Sequence, residues 1–255
     1  MNAMAPELLK PPRRDWPNAL RALRRLLADK DDTVQVFEIM RLLNGTATRD
    51  SYLRLLRSSQ GGRMAYERLE LAELLMQRDR LATYPAGSVA AHYLAFTAKG
   101  QISADGLADV SRQTVRGDIY IDLVHPYAWF GRRIRDCHDL WHVLTGYDLS
   151  ALGEACLVAF SYPQTRALGW AVIATGTAIL GGRQPGQPYA RAILEGYRRG
   201  RRAAWLPGQD YEALLAEPLD AARARLGLTP PLVFDSIPAA AREQMLPKRS
   251  MRFRP

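Results

Sequence analysis

At 255 residues, the chain is long enough to bury a full hydrophobic core, and it lies in the range of one large domain or two small ones. Hydrophobic residues make up 47% and charged residues 24%, which are ordinary globular values and exclude bulk disorder and a fibrous architecture. The net charge of +9 favours an anionic partner. Because no basic run is interleaved with stacking aromatic residues, we expect a membrane surface as a partner and no nucleic acid.

The N-terminal region has two interpretations. Arginines and leucines share residues 13–27, which resembles an amphipathic organellar transit peptide. Nearby aspartates favour instead a first helix behind a Pro-rich tail. We predict a flexible Pro/Arg-rich tail over residues 1–15, a single helical domain over residues 16–246 and a flexible tail over residues 247–255.

Helix start and stop signals recur along the rest of the chain. Asn44-Gly45 ends a helix that begins near Thr33, and Ser88 caps the stretch that follows it. Only residues 118–124 alternate like a strand, and one short run does not make a sheet. We therefore predict an all-α fold, a compact multi-helix domain with no substantial sheet.

The second half of the chain continues the helical period. It runs from Pro126 to Thr145, with Gly146 as a stop, and Asp148 or Ser150 can start a helix that we expect to end before Pro163. The apolar stretch from Leu168 to Gly182 is shorter than the roughly 20 residues needed to span a bilayer, so we expect a buried helix there. Cys137 and Cys156 form no C-x-x-C pair, so a disulfide framework or zinc ribbon is not indicated, and a reducing cytosol fits.

His138 and His142 lie one helical turn apart in this region. Positions i and i+4 project from the same face of a helix, so the two imidazoles can bind one metal ion. Asp139 lies about 100° round from His138, so it reaches the ion from the edge of that face or orients a ligand through a hydrogen bond. The spacing predicts a divalent metal site.

Glu154 can complete this site from the next helix. The stop and restart at Gly146, Tyr147 and Asp148 allow the chain to turn back as an αα-hairpin, which brings Glu154 beside the histidines. Two imidazoles with one or two carboxylates suit zinc, and with water they also suit iron(II) or manganese. The residue types do not decide among these metals.

Structural roles can explain the same residues without a metal. A His-Asp pair can be a buried hydrogen-bonded pair, and Asp139 lies four residues after Arg135, the spacing of a helix-surface salt bridge. Glu154 can be a first-turn acid favoured by the helix dipole. Arg135 is also a candidate for binding a substrate carboxylate bidentately. His92 and His125 are isolated, and we expect them to be structural.

The string around the histidines resembles a known family. It reads His-Asp-Leu-Trp-His-Val-Leu-Thr-Gly from His138 to Gly146 and is followed by Leu152-Gly153-Glu154, which resembles the His-Asp-x-x-His…Glu signature of the fourth Coq protein family of ubiquinone biosynthesis. The resemblance covers roughly the middle and late parts of the chain, with further matches at Pro85-Ala86-Gly87-Ser88 before Tyr93, Tyr211-Glu212-Ala213-Leu214-Leu215, Pro218-Leu219 and Leu226-Gly227.

The resemblance implies an all-helical, membrane-associated protein that binds zinc or a similar ion through the matching residues, which are His138, Asp139, His142 and Glu154. It implies removal of the C1 carboxylate of a 4-hydroxy-3-methoxy-5-polyprenylbenzoate precursor, either simply or with replacement by hydroxyl in an oxidative step. The expected partners are this prenylated aromatic acid, other ubiquinone biosynthesis enzymes and a second copy in a homodimer. The expected location is peripheral, on the cytoplasmic side of a bacterial inner membrane or on the mitochondrial inner membrane of a eukaryote.

Two rival functions remain open. One is a prenyl-lipid-binding scaffold with a structural ion, for which four protein ligands should close a tetrahedron, whereas an open coordination position favours chemistry. The other is a metal-dependent phosphohydrolase, because a His-Asp pair also marks that helical class; it needs more histidine ligands, and only His92 and His125 remain. The chain contains no G-x-S-x-G, G-x-G-x-x-G or Walker motif, so those reaction classes lose their main support.

Overall fold

The structure is a computed structural model that describes residues 13–29, 32–100 and 126–246. Within these ranges the chain forms α-helices and no strand, so the all-α prediction is confirmed. Residues 118–124, with their strand-like alternation, lie outside these ranges, as do most of the two predicted tails. The described helices are α1 (Trp16–Ala28), α2 (Thr33–Leu43), α3 (Ala47–Leu55), α4 (Ser59–Glu67), α5 (Leu71–Met76), α6 (Arg78–Ala82), α7 (Val89–Gly100), α8 (Pro126–Asp136), α9 (His138–Thr145), α10 (Ala151–Thr165), α11 (Leu168–Gly182), α12 (Tyr189–Arg202), α13 (Tyr211–Ala216), α14 (Leu219–Arg225), α15 (Leu232–Asp235) and α16 (Ala239–Gln244), with a short 3-10 helix at Leu206–Gly208.

Helix α10 runs through the main core, and almost all of its residues are buried. It packs most extensively against α12, where glycines replace side chains at the contact. A Cβ atom at Gly196 would lie 2.5 Å from the carbonyl oxygen of Cys156, and one at Gly200 would lie 2.3 Å from that of Phe160. From the first contact to the second, the position increases by four residues on both helices. Helices α10 and α12 therefore run parallel and end at the same side of the molecule.

The predicted end of α10 before Pro163 is wrong, because the helix continues to Thr165. Proline has no N–H group and normally interrupts a helix. Here Gln164 ties the last turn to the fold: its side-chain amide donates to the carbonyl of Gly200 at 2.7 Å, and its side-chain oxygen accepts from the backbone N–H of Leu206 at 2.8 Å. These tertiary hydrogen bonds hold the turn that proline weakens.

The predicted helical stretch from Pro126 to Thr145 is divided at Cys137 into α8 and α9. Cys137 is fully buried, and its thiol donates to the carbonyl of Ile134 at 3.1 Å. The break leaves both histidines on the short helix α9, as the i, i+4 spacing requires.

A second, smaller core joins the N-terminal helices to α11. Ala19, Ala22 and Leu26 of α1 pack with residues of α2 against α11, which confirms the expected first helix. Helix α11 is less buried than its composition suggests: only the stripe Gly169, Ile173, Thr177 and Gly181 is enclosed, and Ile179 is 52% exposed. No helix within the described ranges is long and apolar enough to span a membrane.

Candidate metal centre

Helix α9 is held at its C-terminal end by two arginines from other helices. Arg223 of α14 donates to the carbonyls of Val143 and Leu144 at 2.9 and 3.0 Å, and Arg199 of α12 donates to that of Thr145 at 2.8 Å. The last carbonyls of a helix have no partner within the helix, and positive charge there is favoured by the helix dipole. The two guanidinium groups therefore fix the position of the helix that carries both histidines.

The connection between α9 and α10 is a tight capped turn. Gly146 ends α9 in the left-handed region, with φ of +82°, and Ser150 caps α10 by accepting from the N–H of Gly153 at 3.1 Å. A Cβ atom at Gly153 would lie 2.0 Å from the carbonyl oxygen of Asp148, so the turn closes only on glycine. The predicted stop at Gly146 and start at Ser150 are confirmed, and Glu154 follows in the first turn of α10.

The turn brings Glu154 against both imidazoles. Its Oε2 lies 3.4 Å from Nε2 of His138, and its Oε1 lies 3.2 Å from Nε2 of His142. One ligand atom from each of the three residues lies within 4.8 Å of the other two. Ligand atoms bound tetrahedrally at about 2.1 Å from zinc lie about 3.4 Å apart, so small side-chain movements suffice to close this group on one ion.

The orientation of His142 leaves one of its ring nitrogens, Nε2, without a hydrogen bond. Its Nδ1 lies 3.1 Å from the carbonyl oxygen of Tyr147, so Nδ1 carries the hydrogen and donates it, and Nε2 keeps its lone pair. Nε2 is buried and makes no hydrogen bond, because its approach to Glu154 lacks the required geometry. A buried nitrogen without a partner is costly, and a bound cation would satisfy it.

Two aromatic rings flank the histidines. Phe96 of α7 stacks on His142 with 5.2 Å between ring centroids, and Trp170 of α11 lies nearly parallel to His138 at 6.4 Å. Sequence reasoning missed both rings, because each comes from a helix far away in the chain and reads as ordinary core. They limit the access of water to the imidazoles from two sides.

The electrostatics of the group favour a positive charge between the three residues. Burial would raise the pKa of Glu154, but the neighbouring imidazoles of His142 and His138, when protonated, outweigh it, so the pKa lies well below its usual range. For His138, burial would lower the pKa, but the hydrogen bond and charge of Glu154 outweigh it and raise the pKa. The carboxylate is thus charged and attracts either a proton or a metal ion to the imidazoles.

The other predicted site residues lie around this group rather than in it. Asp139 is buried, its pKa is raised by burial against the opposing charges of the histidines, and its oxygens are not among the three convergent ligand atoms. Arg135 pairs with Asp136, with 2.6 Å between Nε and Oδ1, so the suggested surface salt bridge to Asp139 is replaced by one to the adjacent residue. His92 is exposed on α7 and outside the group, and His125 lies outside the described residues.

One edge of the group is open. The side chain of Glu154 is 42% exposed and that of His138 is 20% exposed, whereas that of His142 is fully buried. Two surface cavities of about 160 and 350 Å³ lie elsewhere, and neither is lined by any of the three residues. A ligand therefore reaches the group past Glu154.

Comparison with known proteins decides the family. A sequence model described as "Coenzyme Q (ubiquinone) biosynthesis protein Coq4" matches residues 28–232, which is most of the chain. The chain belongs to the Coq4 family. The family resemblance read from the His-Asp-x-x-His…Glu string is confirmed.

Curated relatives from several organisms are similar to this Coq4 family member. The mitochondrial COQ4 homologues of rat and human are 27% identical over 174 and 177 residues, covering 68% and 69% of this chain and 62% and 63% of their own length. The chain thus spans less than two thirds of these relatives. The mitochondrial coq4 protein of Pyrenophora tritici-repentis is 27% identical over 210 residues, with 78% and 68% covered.

A solved structure shares the fold. The crystal structure of a putative ubiquinone biosynthesis protein from Nostoc punctiforme aligns with a TM-score of 0.55 and 21% identity, and the alignment covers 85% of this chain and 99% of that chain. That protein therefore has a similar helical arrangement.

Proposed function

We propose that this Coq4 family member is a metal-dependent decarboxylase of ubiquinone biosynthesis. Its substrate would be a 4-hydroxy-3-methoxy-5-polyprenylbenzoate-type precursor, from which the C1 carboxylate is removed. The observation that carries the proposal is the convergence of His138, His142 and Glu154 beside an open edge, with the buried Nε2 of His142 lacking a hydrogen-bond partner. These three residues would hold the ion, with Asp139 as the proposed further member of the site.

The donor set fits the predicted metals. Two imidazoles and a carboxylate suit zinc first, and iron(II) or manganese as alternatives. When bound, the ion would supply Lewis-acid polarisation of a coordinated carboxylate. The proposal keeps Arg135 as the group that binds the substrate carboxylate, which requires it to exchange its present partner, Asp136.

The chain's own residues would prepare the site for this reaction. The carbonyl of Tyr147 fixes the tautomer of His142, and Phe96 and Trp170 exclude water from two sides. In a simple decarboxylation the bond between C1 and the carboxyl carbon breaks, carbon dioxide leaves and a proton is added at C1. In the oxidative form the same bond breaks and carbon dioxide leaves, a hydroxyl from water is added at C1, and the two electrons released would reduce dioxygen to hydrogen peroxide.

The number of ligands favours chemistry over the scaffold alternative. Structural zinc sites are closed by four protein ligands, whereas catalytic sites keep an open position. Within the described ranges three residues converge, and their carboxylate is partly exposed. A phosphohydrolase is disfavoured, because no further histidine of the described ranges joins the group.

Helix α11 is the proposed wall for the polyprenyl tail. The other apolar stretch considered for this role begins with Leu157 and includes Phe160, and both side chains are fully buried in the core. Helix α11 starts near the metal centre with Trp170 and carries exposed Ile179 toward its other end. Such a face suits a peripheral position on an inner membrane, where the proposed partners are a second copy and other enzymes of ubiquinone biosynthesis.

The decisive experiment follows the fate of the carboxylate. The purified chain, loaded in turn with zinc, iron(II) and manganese, is incubated with the prenylated acid labelled at its carboxyl carbon. We expect release of labelled carbon dioxide, lost in Glu154→Gln and kept in the control Glu73→Gln, which changes an exposed carboxylate of α5. Mass spectrometry of the product separates the oxidative form, which carries one more oxygen atom. If the protein binds the metal but releases no labelled carbon dioxide from the substrate, the scaffold alternative is supported instead.

A further inference from the structure

A groove on the side of the molecule where α10 ends has the features of an anion site. It has a volume of about 350 Å³ and is lined by residues of α3, the following turn and the segment around the 3-10 helix, namely Arg54, Leu55, Arg57, Ser58, Trp205, Gly208 and Gln209. It contains no acidic residue. None of the residues assigned to the metal centre contributes to it.

The guanidinium group of Arg54 is already positioned in this groove. It lies over the ring of Trp205, with 4.3 Å between the guanidinium carbon and the ring centroid. Stacking on an aromatic face holds a guanidinium while leaving the N–H groups at its edge available to acceptors. The indole itself is fixed, because its N–H donates to the carbonyl of Gln164 at 2.8 Å.

A third arginine stands near the groove at a costly backbone position. Arg166 ends α10 in the left-handed region, with φ of +59°, where glycine is usually found. The preceding carbonyl, that of Thr165, accepts a hydrogen bond from Ser51 of α3, which joins the end of α10 to the helix that carries Arg54. Backbone strain of this kind clusters at functional sites, which favours a functional role for the Arg166 side chain.

The three positive charges are not neutralised by the protein within the described ranges. None of the ion pairs there involves Arg54, Arg57 or Arg166. Burial lowers the pKa of Arg54, and the charges of Arg166 and Arg57 lower it further, as expected for like charges held together. The N-terminus of α4, capped by Ser58, opens beside the groove and adds partial positive charge.

We infer that Arg54, Arg57 and Arg166 form a phosphate-binding site around Trp205. Planar guanidinium groups bind phosphate oxygens through paired hydrogen bonds, and three of them more than offset the two negative charges of a phosphate monoester dianion. Lipid headgroups and free phosphate share this chemistry, and the exposed side chains of Leu53 and Leu56 beside Arg54 favour the headgroup.

Calorimetric titration of the full chain with inorganic phosphate at constant ionic strength tests the site. We expect saturable binding that is weakened about tenfold by Arg54→Gln and by Arg57→Gln. The matched control is Arg49→Gln on the same helix, which removes the same charge outside the groove, and its binding should be unchanged. Arg166→Gly should weaken binding while leaving the melting temperature equal or higher, because glycine relieves the left-handed backbone.

Vesicles then identify the source of the phosphate. The ligand is a lipid headgroup if the protein binds phosphatidylcholine vesicles that contain phosphatidic acid and is released when inorganic phosphate is added. The double variant Arg54→Gln, Arg57→Gln should then fail to bind the same vesicles. Saturable binding of inorganic phosphate without vesicle binding assigns the site to free phosphate. Absence of saturable binding, or an equal loss of affinity in Arg49→Gln, would overturn the inference and leave a diffuse basic surface.

Discussion

The two ends of helix α10 differ in charge and in how completely their side chains are paired. At the N-terminal end, Glu154 contacts two imidazoles, and Ser150 caps the start of the helix through the N–H of Gly153. At the C-terminal end, Arg166 and Arg54 stand without an acidic partner within the described ranges. Glu154 and Arg166 are twelve positions apart along the chain, or about 18 Å along the helix.

The difference shows how one rigid helix would separate the proposed cation site from the proposed anion site. The N-terminal end is preorganised, because capped backbone and buried rings leave the side chains little freedom to move. The C-terminal end is held by its backbone, whereas the arginine side chains remain accessible. A change at the first end should therefore disturb ligand and fold together, and a change at the second should disturb ligand binding alone.

The largest expected effect is the loss of the ion when His142 is replaced. His142→Ala removes the one fully buried ligand and leaves two ligands in the group, so we expect purified protein to contain no stoichiometric metal and to form no product. Elemental analysis measures the metal directly. His92→Ala removes an exposed imidazole outside the group and should retain full metal content. Equal metal in both variants would contradict the site.

The next effect tests the packing that keeps the two ends on one rigid helix. Gly196→Ala places a methyl 2.5 Å from the carbonyl oxygen of Cys156, so α10 and α12 must separate. We expect the free energy of unfolding to fall by about 3 kcal/mol, the upper part of the range for overpacking. Gly62→Ala, in a helix with open space around its Cβ, should instead gain up to about 1 kcal/mol. Denaturant unfolding of the two variants should therefore give changes of opposite sign.

The sequence predicted the parts of this arrangement that depend on local geometry. The i, i+4 spacing placed His138 and His142 on one face, and Gly146 and Ser150 marked the turn that returns Glu154 to them. The prediction of helix ends failed at Pro163, because hydrogen bonds from Gln164 to residues far away in the chain decide that boundary. The antiparallel hairpin geometry of α9 and α10 stays a prediction.

Features that depend on tertiary contacts could not be predicted from the sequence. Phe96 and Trp170 flank the histidines, and Arg199 and Arg223 hold α9, but nothing in their local sequence marks them. The sequence of a chain rich in arginine does not tell a structural guanidinium from a solvated one. Only the packing of α12 and α14 against the end of α9 assigns these two.

A smaller effect should follow from loosening the end of α9. Arg223→Met keeps much of the side-chain length but removes the hydrogen bonds to Val143 and Leu144, which should cost about 1–2 kcal/mol of stability and weaken metal binding. Arg225→Met on the same helix breaks an exposed ion pair with Glu217 and should cost no more than about 0.5 kcal/mol, with unchanged metal affinity. Thermal unfolding with and without zinc compares the two. If both variants bind zinc equally well, the arginine caps do not position the histidines.

The smallest predicted effect is a shift in stability with pH that changes sign when the ion is bound. In the metal-free protein, the raised pKa of His138 stabilises the folded state below the unfolded value of 6.5, and this contribution is lost as the pH rises through the folded pKa. The lowered pKa of Glu154 stabilises the folded state above its unfolded value of 4.5, and that contribution is lost only in stronger acid. The melting temperature of the metal-free protein should thus rise slightly as the pH falls from about 8 to about 6.

Metal-loaded protein should respond in the opposite direction over the same interval. Protons compete with the ion for the imidazoles, so acidification releases metal and removes the stability that it contributed. Melting temperatures measured across this range, with excess zinc and with a chelator, give the two slopes. In His138→Gln the metal-free slope should flatten, because the group whose pKa is raised is gone. If the wild-type protein with chelator loses stability on acidification from pH 8 to 6, then His138, His142 and Glu154 do not form the charged group described here. Slopes of opposite sign with zinc and with chelator would assign both proton binding and metal binding to the N-terminal end of α10.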